Sequence, residues 1–189
     1  MAAALTVGYA GAVPLVILAG FFTFFFRDPN RHSTANPDVA VLAPADGRVL
    51  AVDELDDPFV GPAVRVAIFL SPLDVHVNRA PLAGLVVSAT YSRGRFLAAY
   101  RPDAGDANER CVVHLQGESA RVTVVQIAGV VARRIVCRVG PGDKLAAGER
   151  FGMIRFGSRT DCCMPRGTGI QVRAGDHVTG GVSVLGVLS

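Results

Sequence analysis

The chain has 189 residues, half of them hydrophobic, with 19 basic and 16 acidic side chains and a net charge of +3. That length holds one compact domain plus an accessory segment, and so apolar a chain has ample surface to bury against the entropy of ordering, which excludes disorder. Twenty-one glycines without a triplet period, only four cysteines and no Lys/Arg cluster exclude a collagen-like chain, a disulfide scaffold and a nucleic-acid footprint.

Residues 1–26 come first. No charge occurs from Ala2 to Phe26, and the stretch closes on Phe21-Phe22-Thr23-Phe24-Phe25-Phe26. About 20 apolar residues cross a bilayer core, so the segment is expected to be a membrane-anchoring helix. A signal peptide would need a basic start and a small-residue cleavage site, and the sequence has neither. Pro14 and the nearby glycines leave an embedded hairpin or a half-inserted helix open. Arg27 and Arg31 favour keeping the following domain on the cytoplasmic side of the cell membrane. Residues 27–40 are polar and rich in Pro and Asn, a linker.

From residue 41 to 189 the pattern is β. Short β-branched runs lie at 40–43, 49–52, 64–70, 85–90, 111–115, 122–127 and 135–139, separated by Gly, Pro, Asp and Asn. Short helices are expected only at 94–100 and 130–134. Near the C-terminus Val139-x-x-Gly142-Asp143-x-Leu145-x-x-Gly148 recurs as Val172-x-x-Gly175-Asp176-x-Val178-x-x-Gly181, two similar turns entering strands. Repeats of this kind suit a flattened β-barrel or sandwich with biotinyl-like hairpins. Cys162 and Cys163 are adjacent, no CxxC occurs and no zinc spacing is present, so four free thiols and no metal are expected.

Chemistry is sought first among titratable residues in apolar surroundings. Asp46 lies in Ala43-Pro44-Ala45-Asp46-Gly47, and such a residue either caps its own turn or serves a site. Alternation places Asp74, His76 and Asn78 on one face of 73–78, which is either a solvated edge or a site. His32, His114 and His177 read as structural or exposed. Gly157-Ser158 is the only Gly-Ser pair, without the flanking glycine of a hydrolase elbow. Lys144 is the only lysine.

Together these segments carry a resemblance. FFRDP (25–29), APADG (43–47), FLSPLDVHVNRAP (69–81), NER (108–110), QIAG with VARRI (126–135) and GDKL with AGERFGMIRFGSR (142–159) resemble, in order and over essentially the whole chain, the phosphatidylserine decarboxylase family in its short actinobacterial and archaeal-type branch. The longer bacterial branch has LGST where this chain has Phe156-Gly157-Ser158-Arg159, and a second histidine where this chain has Arg79.

The resemblance implies a proenzyme that cuts itself between Gly157 and Ser158 into a β chain of 1–157 and an α chain of 158–189. Ser158 then becomes a covalent pyruvoyl group, with His76 and Asp46 as the further catalytic candidates. The implied reaction takes phosphatidylserine to phosphatidylethanolamine and CO2 in phospholipid synthesis. Amine decarboxylation needs an electron sink, usually a carbonyl joined to the substrate as a Schiff base. A chain with one lysine, in a turn, suits a carbonyl made from its own backbone better than a pyridoxal cofactor. His76, oriented by Asp46, would move protons both in the cut and in turnover. Expected partners are the lipid substrate, the membrane surface and the paired α and β chains; Arg93, Arg95 and Arg101 read first as a solvated basic face, with contact to the lipid phosphate and an anionic surface as the alternative. No nucleic acid is expected, and a homodimer is left open. Archaetidylserine is the alternative substrate, and an uncut membrane-tethered β domain the alternative without catalysis.

Overall fold

The computed structural model describes residues 2–130, 134–155 and 157–189, with side chains from residue 12 onward. Helix α1 (Ala2–Phe25) has no charged residue to give it a polar face. Val13, Leu15, Val16, Ile17, Leu18, Phe21, Phe22 and Phe24 are exposed along it, while Phe25 turns inward and is buried. Among the described residues, no helix is long and apolar enough to cross a membrane. The expected membrane-anchoring helix therefore has no support in the fold itself.

The remainder is almost entirely β, in four consecutive groups. They are β1 (Ala40–Leu42), β2 (Gly47–Asp57) and β3 (Gly61–Leu70); then β4 (Val77–Arg79), β5 (Gly84–Ser92) and β6 (Arg110–Gly117). Next come β7 (Arg121–Ile127), β8 (Ile135–Cys137), β9 (Lys144–Leu145) and β10 (Arg150–Ile154). The last group is β11 (Ser158–Pro165), β12 (Gly169–Ile170), β13 (His177–Val178) and β14 (Val184–Val187). A single helical turn, α2 (Ala104–Ala107), interrupts the β5–β6 connection.

These strands form one eight-stranded sheet in the order β13-β2-β3-β11-β7-β6-β5-β9, and two three-stranded sheets, β1-β14-β12 and β4-β10-β8. The long β2–β3 and β5–β6 hairpins each carry a register shift, between Val49 and Ala51 and between Val86 and Ser88. Bulges at matching places increase the twist and curl the sheet into half a barrel. The expected mainly β fold is thus present as a curled half-barrel sheet, with β13 and β9 as its separate edges.

The two halves are copies of one plan. Ala43-Pro44-x-x-Gly47-x-Val49 is repeated by Ala80-Pro81-x-x-Gly84-x-Val86. Val49 N–H donates to the Asp176 carbonyl at 2.9 Å and Val86 N–H to the Asp143 carbonyl at 2.8 Å. Gly181 N–H reaches Ala43 O and Gly148 N–H reaches Ala80 O, each at 2.8 Å. The glycines of the C-terminal repeat match in backbone angle too, with φ of 96° and 97° at Gly142 and Gly175, and 77° and 73° at Gly148 and Gly181. The halves join through antiparallel pairing of β7 with β11 at the centre of the sheet.

One face of the large sheet packs the core, with Ile68, Leu115, Phe151, Met164 and Leu185 buried there. The other face is concave and leaves a cavity of about 470 Å3 bordered by Leu55, Arg65, Val112, Val125, Asp161 and Cys163. All four cysteines are free. The expected helix at 94–100 is irregular chain, and the one at 130–134 falls largely outside the described residues. Strand β11 has no apolar alternation in sequence because it is central and buried through Met164. Its two charged side chains are paired with each other, Arg159 with Asp161 at 2.6 and 2.7 Å.

Candidate active site

Ser158 opens β11 opposite Leu70 of β3. Its side chain is completely buried, and its Oγ makes no hydrogen bond among the described residues. A buried hydroxyl normally finds a partner, since leaving one unsatisfied costs about 1–3 kcal/mol. Gly157, just before it, has φ +60°, a left-handed conformation that most side chains would strain. A buried, unpaired hydroxyl directly after a left-handed glycine occurs at no other strand entry among the described residues.

His76 is brought in by the short segment leading into β4. Its carbonyl accepts from Ile154 N–H at 3.2 Å, tying it to the strand that runs on toward Ser158. The imidazole is buried, and its Nδ1 lies 2.9 Å from the Asp74 carbonyl. A carbonyl can only accept, so Nδ1 carries the proton and the basic lone pair is on Nε2. Burial pushes the His76 pKa below the ordinary histidine value, against the opposing pull of the Asp74 carbonyl and carboxylate. The Phe25 ring at the end of α1 packs on the imidazole with centroids 4.3 Å apart.

The two segments are locked by a buried amide chain. Gln126 Nε2 donates to Asn78 Oδ1 at 2.9 Å, and Asn78 Nδ2 donates to Thr160 Oγ1 at 3.0 Å. The second bond clamps the chain two residues past His76 on one side and two past Ser158 on the other. All three side chains are fully buried.

Asp46 does not orient His76. Its carboxylate is gripped by both terminal nitrogens of Arg31, one of them at 2.8 Å, and accepts Gly180 N–H at 2.8 Å. The orienting group is the Asp74 backbone carbonyl, and Asp46 acts on His76 only through space. The Asp74 carboxylate closes its own turn by accepting Ser71 N–H at 2.7 Å and lies 3.1 Å from His177 Nε2. Arg79 is buried, with its guanidinium on Asp28, Pro29 O and Gly148 O. Lys144 is exposed in the edge strand β9, on the opposite half of the sheet from β3. Arg93, Arg95 and Arg101 are exposed, and Arg101 pairs with Asp103.

Asn78 lies on the polar face that the alternation of 73–78 picked out, whereas Arg31, Gln126 and Thr160 were not singled out by the sequence as members of this site. One signal was available: in the Ala-Pro-x-x-Gly-x-Val repeat Asp46 stands where the second copy has Ala83. A charge in one copy of a structural repeat marks a position that the fold alone does not require.

The family model for phosphatidylserine decarboxylase matches residues 18–186. The chain belongs to the phosphatidylserine decarboxylase family. Among its relatives, the phosphatidylserine decarboxylase proenzyme of Chlorobium phaeobacteroides is 46% identical over 170 residues, 89% of this chain and 79% of the relative. That of Symbiobacterium thermophilum is 47% identical over 188 residues, covering 98% and 87% of the two chains. The proenzyme of Nitrosomonas europaea is 46% identical, covering 94% of this chain and 83% of its own. Phosphatidylserine decarboxylases are named as proenzymes in all three.

Proposed function

We propose that this chain is a proenzyme that cuts itself between Gly157 and Ser158 and then decarboxylates phosphatidylserine to phosphatidylethanolamine and CO2. The observation that carries the reading is Ser158 itself, a buried hydroxyl without a hydrogen bond among the described residues, immediately after a glycine at φ +60°.

In the cut, Ser158 Oγ attacks the Gly157 carbonyl carbon while His76 Nε2 takes the hydroxyl proton. The C–N bond breaks, its nitrogen leaves as the free amine of residue 158, and an ester joins Gly157 to the serine oxygen. Removal of the Ser158 α-proton expels the Gly157 carboxylate and leaves a Cα=Cβ double bond. Water then replaces the nitrogen, which departs as ammonia, and residue 158 is a pyruvoyl group. When formed, that group supplies the carbonyl electron sink on which loss of CO2 from an amine depends.

The residues present fit such a group. Its precursor is buried in the sheet centre, away from water, and the one lysine is exposed in an edge strand. His76, neutral and desolvated, is suited to take a proton and to return one to the carbon vacated by the carboxyl. Phe25 over its ring excludes water from that side.

The lipid substrate accounts for the apolar N-terminus. Between Val13 and Phe26 the large apolar side chains other than Phe25 are exposed, and Arg27 Nη2 donates to Leu73 O at 2.7 Å, joining the end of α1 to the loop before His76. Leu73 is itself about two-thirds exposed. A helix inserted in one leaflet would thus hold the His76 loop at the depth of the headgroup. The test is the mass of the purified chain under denaturing conditions, beside Ser158→Ala. Two polypeptides are expected from the unaltered chain, 1–157 and a 158–189 fragment lighter than the serine-started peptide by one ammonia. Ser158→Ala should remain one polypeptide. A single chain in both samples would overturn the self-cutting mechanism.

A further inference from the structure

We propose that Gly129, held by Asn108, is the platform that positions the bond to be cut, a role in the proenzyme and not in lipid turnover. The inference rests on the reading of Gly157–Ser158 as the cleavage site. It starts from register: Arg159 lies opposite Ile127, so continuing the antiparallel pairing backward along β11 and forward beyond β7 brings Gly157 opposite Gly129. The approach there is closer than a normal cross-strand contact. A Cβ on Gly129 would overlap the Gly157 carbonyl oxygen and lie 2.9 Å from its carbonyl carbon. The electrophile of the cut is therefore seated directly on the Gly129 backbone, a contact that only glycine allows.

That seat is rigidly built. Ala128, next to Gly129, donates its N–H to Glu109 O at 2.9 Å and accepts Asn108 Nδ2 on its carbonyl at 2.8 Å. The same Asn108 amide exchanges two further bonds with Leu97, donating to its carbonyl and accepting its N–H, each at 2.8 Å. Asn108 is buried, with all three bonds made to backbone. The Ala99 methyl carbon lies 3.7 Å from the Gly129 Cβ position and backs it. A buried amide satisfied by backbone on two loops is a strut, and here its load is the peptide plane of Gly157.

The chemistry explains why a strut is needed. Ser158 Oγ must reach the carbonyl carbon of its own preceding peptide, so the plane of that peptide has to be turned and held. Gly157 is conformationally permissive and would otherwise wander. Seating its carbonyl oxygen against Gly129 fixes the plane without adding a group that reacts. Once the bond is cut, Gly157 is a chain end and the platform has nothing further to hold.

Gly129→Ala and Asn108→Asp, the latter isosteric but lacking both amide donors, test this on the full chain. Cleavage is followed by mass over time after synthesis, on folded material isolated by gel filtration. Both variants should cut at least about tenfold more slowly than the unaltered chain. Hydroxylamine, which cleaves an accumulated ester, should not release the fragments, because the block precedes ester formation. Whatever fraction does cut should decarboxylate phosphatidylserine at an unchanged rate per pyruvoyl. Folded variants that cut at the normal rate would overturn the platform while leaving the cleavage site intact. An unaltered chain that never cuts would instead overturn the reading on which it rests. If neither variant yields folded protein, Gly129 and Asn108 serve the fold and the proposal fails as well.

Discussion

His76 has its proton on Nδ1, fixed by a backbone carbonyl, and burial keeps the ring neutral further into acid than a free histidine. Its depressed pKa sets two consequences of the same sign. As pH falls through and below the ordinary value of about 6.5, the unfolded chain takes up a proton that the folded chain resists, so the stability owed to the neutral ring is lost. The same protonation would remove the base that the proposed cut requires. The self-cleavage rate should thus be flat above neutrality and fall in acid with a midpoint below about 6.5, measured by mass across a pH series. A midpoint above that value would assign the step to another group. How a single residue is oriented proved hardest to read from sequence. The alternation of Asp74, His76 and Asn78 was visible, but not that the Asp74 backbone rather than the Asp46 carboxylate fixes the ring. Carbonyl directions depend on the turn, and side-chain patterning does not report them.

At the scale of elements, the segment between α1 and β1 reads in sequence as a linker, yet it is stapled along its length. Arg31 closes on Asp46 with both side chains about nine-tenths buried, and Asp28 receives Arg79 and Arg150. Breaking one partner of so buried a pair leaves a charge that cannot reach water. Arg31→Ala should lower stability by about 3 kcal/mol, about 6–12 °C in unfolding midpoint for a chain of this size. Thermal unfolding in the Ser158→Ala background, where the chain stays whole, checks this, and adding Asp46→Ala should recover part of the loss. The β-branched strands at the hairpins announce themselves because each has one apolar face. Strand β11 does not, since both its faces are covered and its pairs lie far apart in sequence, Thr160 with Asn78 and Cys163 with Arg65. Short β9 and β13 have no pattern of their own and were traceable only through the Gly-Asp repeat.

For the whole molecule, the two-copy plan and the apolar helix divide the labour. The sheet halves build the centre, and the exposed apolar residues of α1 are joined through Arg27 to the loop carrying the exposed Leu73 ahead of His76. Flotation with phosphatidylserine vesicles should recover the full chain in the lipid fraction. Ile17→Lys with Phe22→Lys should leave it in the aqueous fraction while cleavage at Ser158 proceeds, since the cut needs no lipid. Loss of cleavage together with flotation would mean that α1 is part of the catalytic fold instead.

The position of β11 between β3 and β7 has one more consequence. The proposed cut ahead of Ser158 would leave β11 paired with β3 and β7, so the mature protein would keep its sheet order while giving up its connectivity. Under that proposal the fragment released on unfolding would be a β11–β14 unit whose first residue is a ketone with no amine to rejoin. Reassembly would require two molecules to meet, and the covalent link can never be restored. The working lifetime of the processed protein is then governed by how slowly β11 is extracted from between its neighbours, a barrier height and not a folding equilibrium.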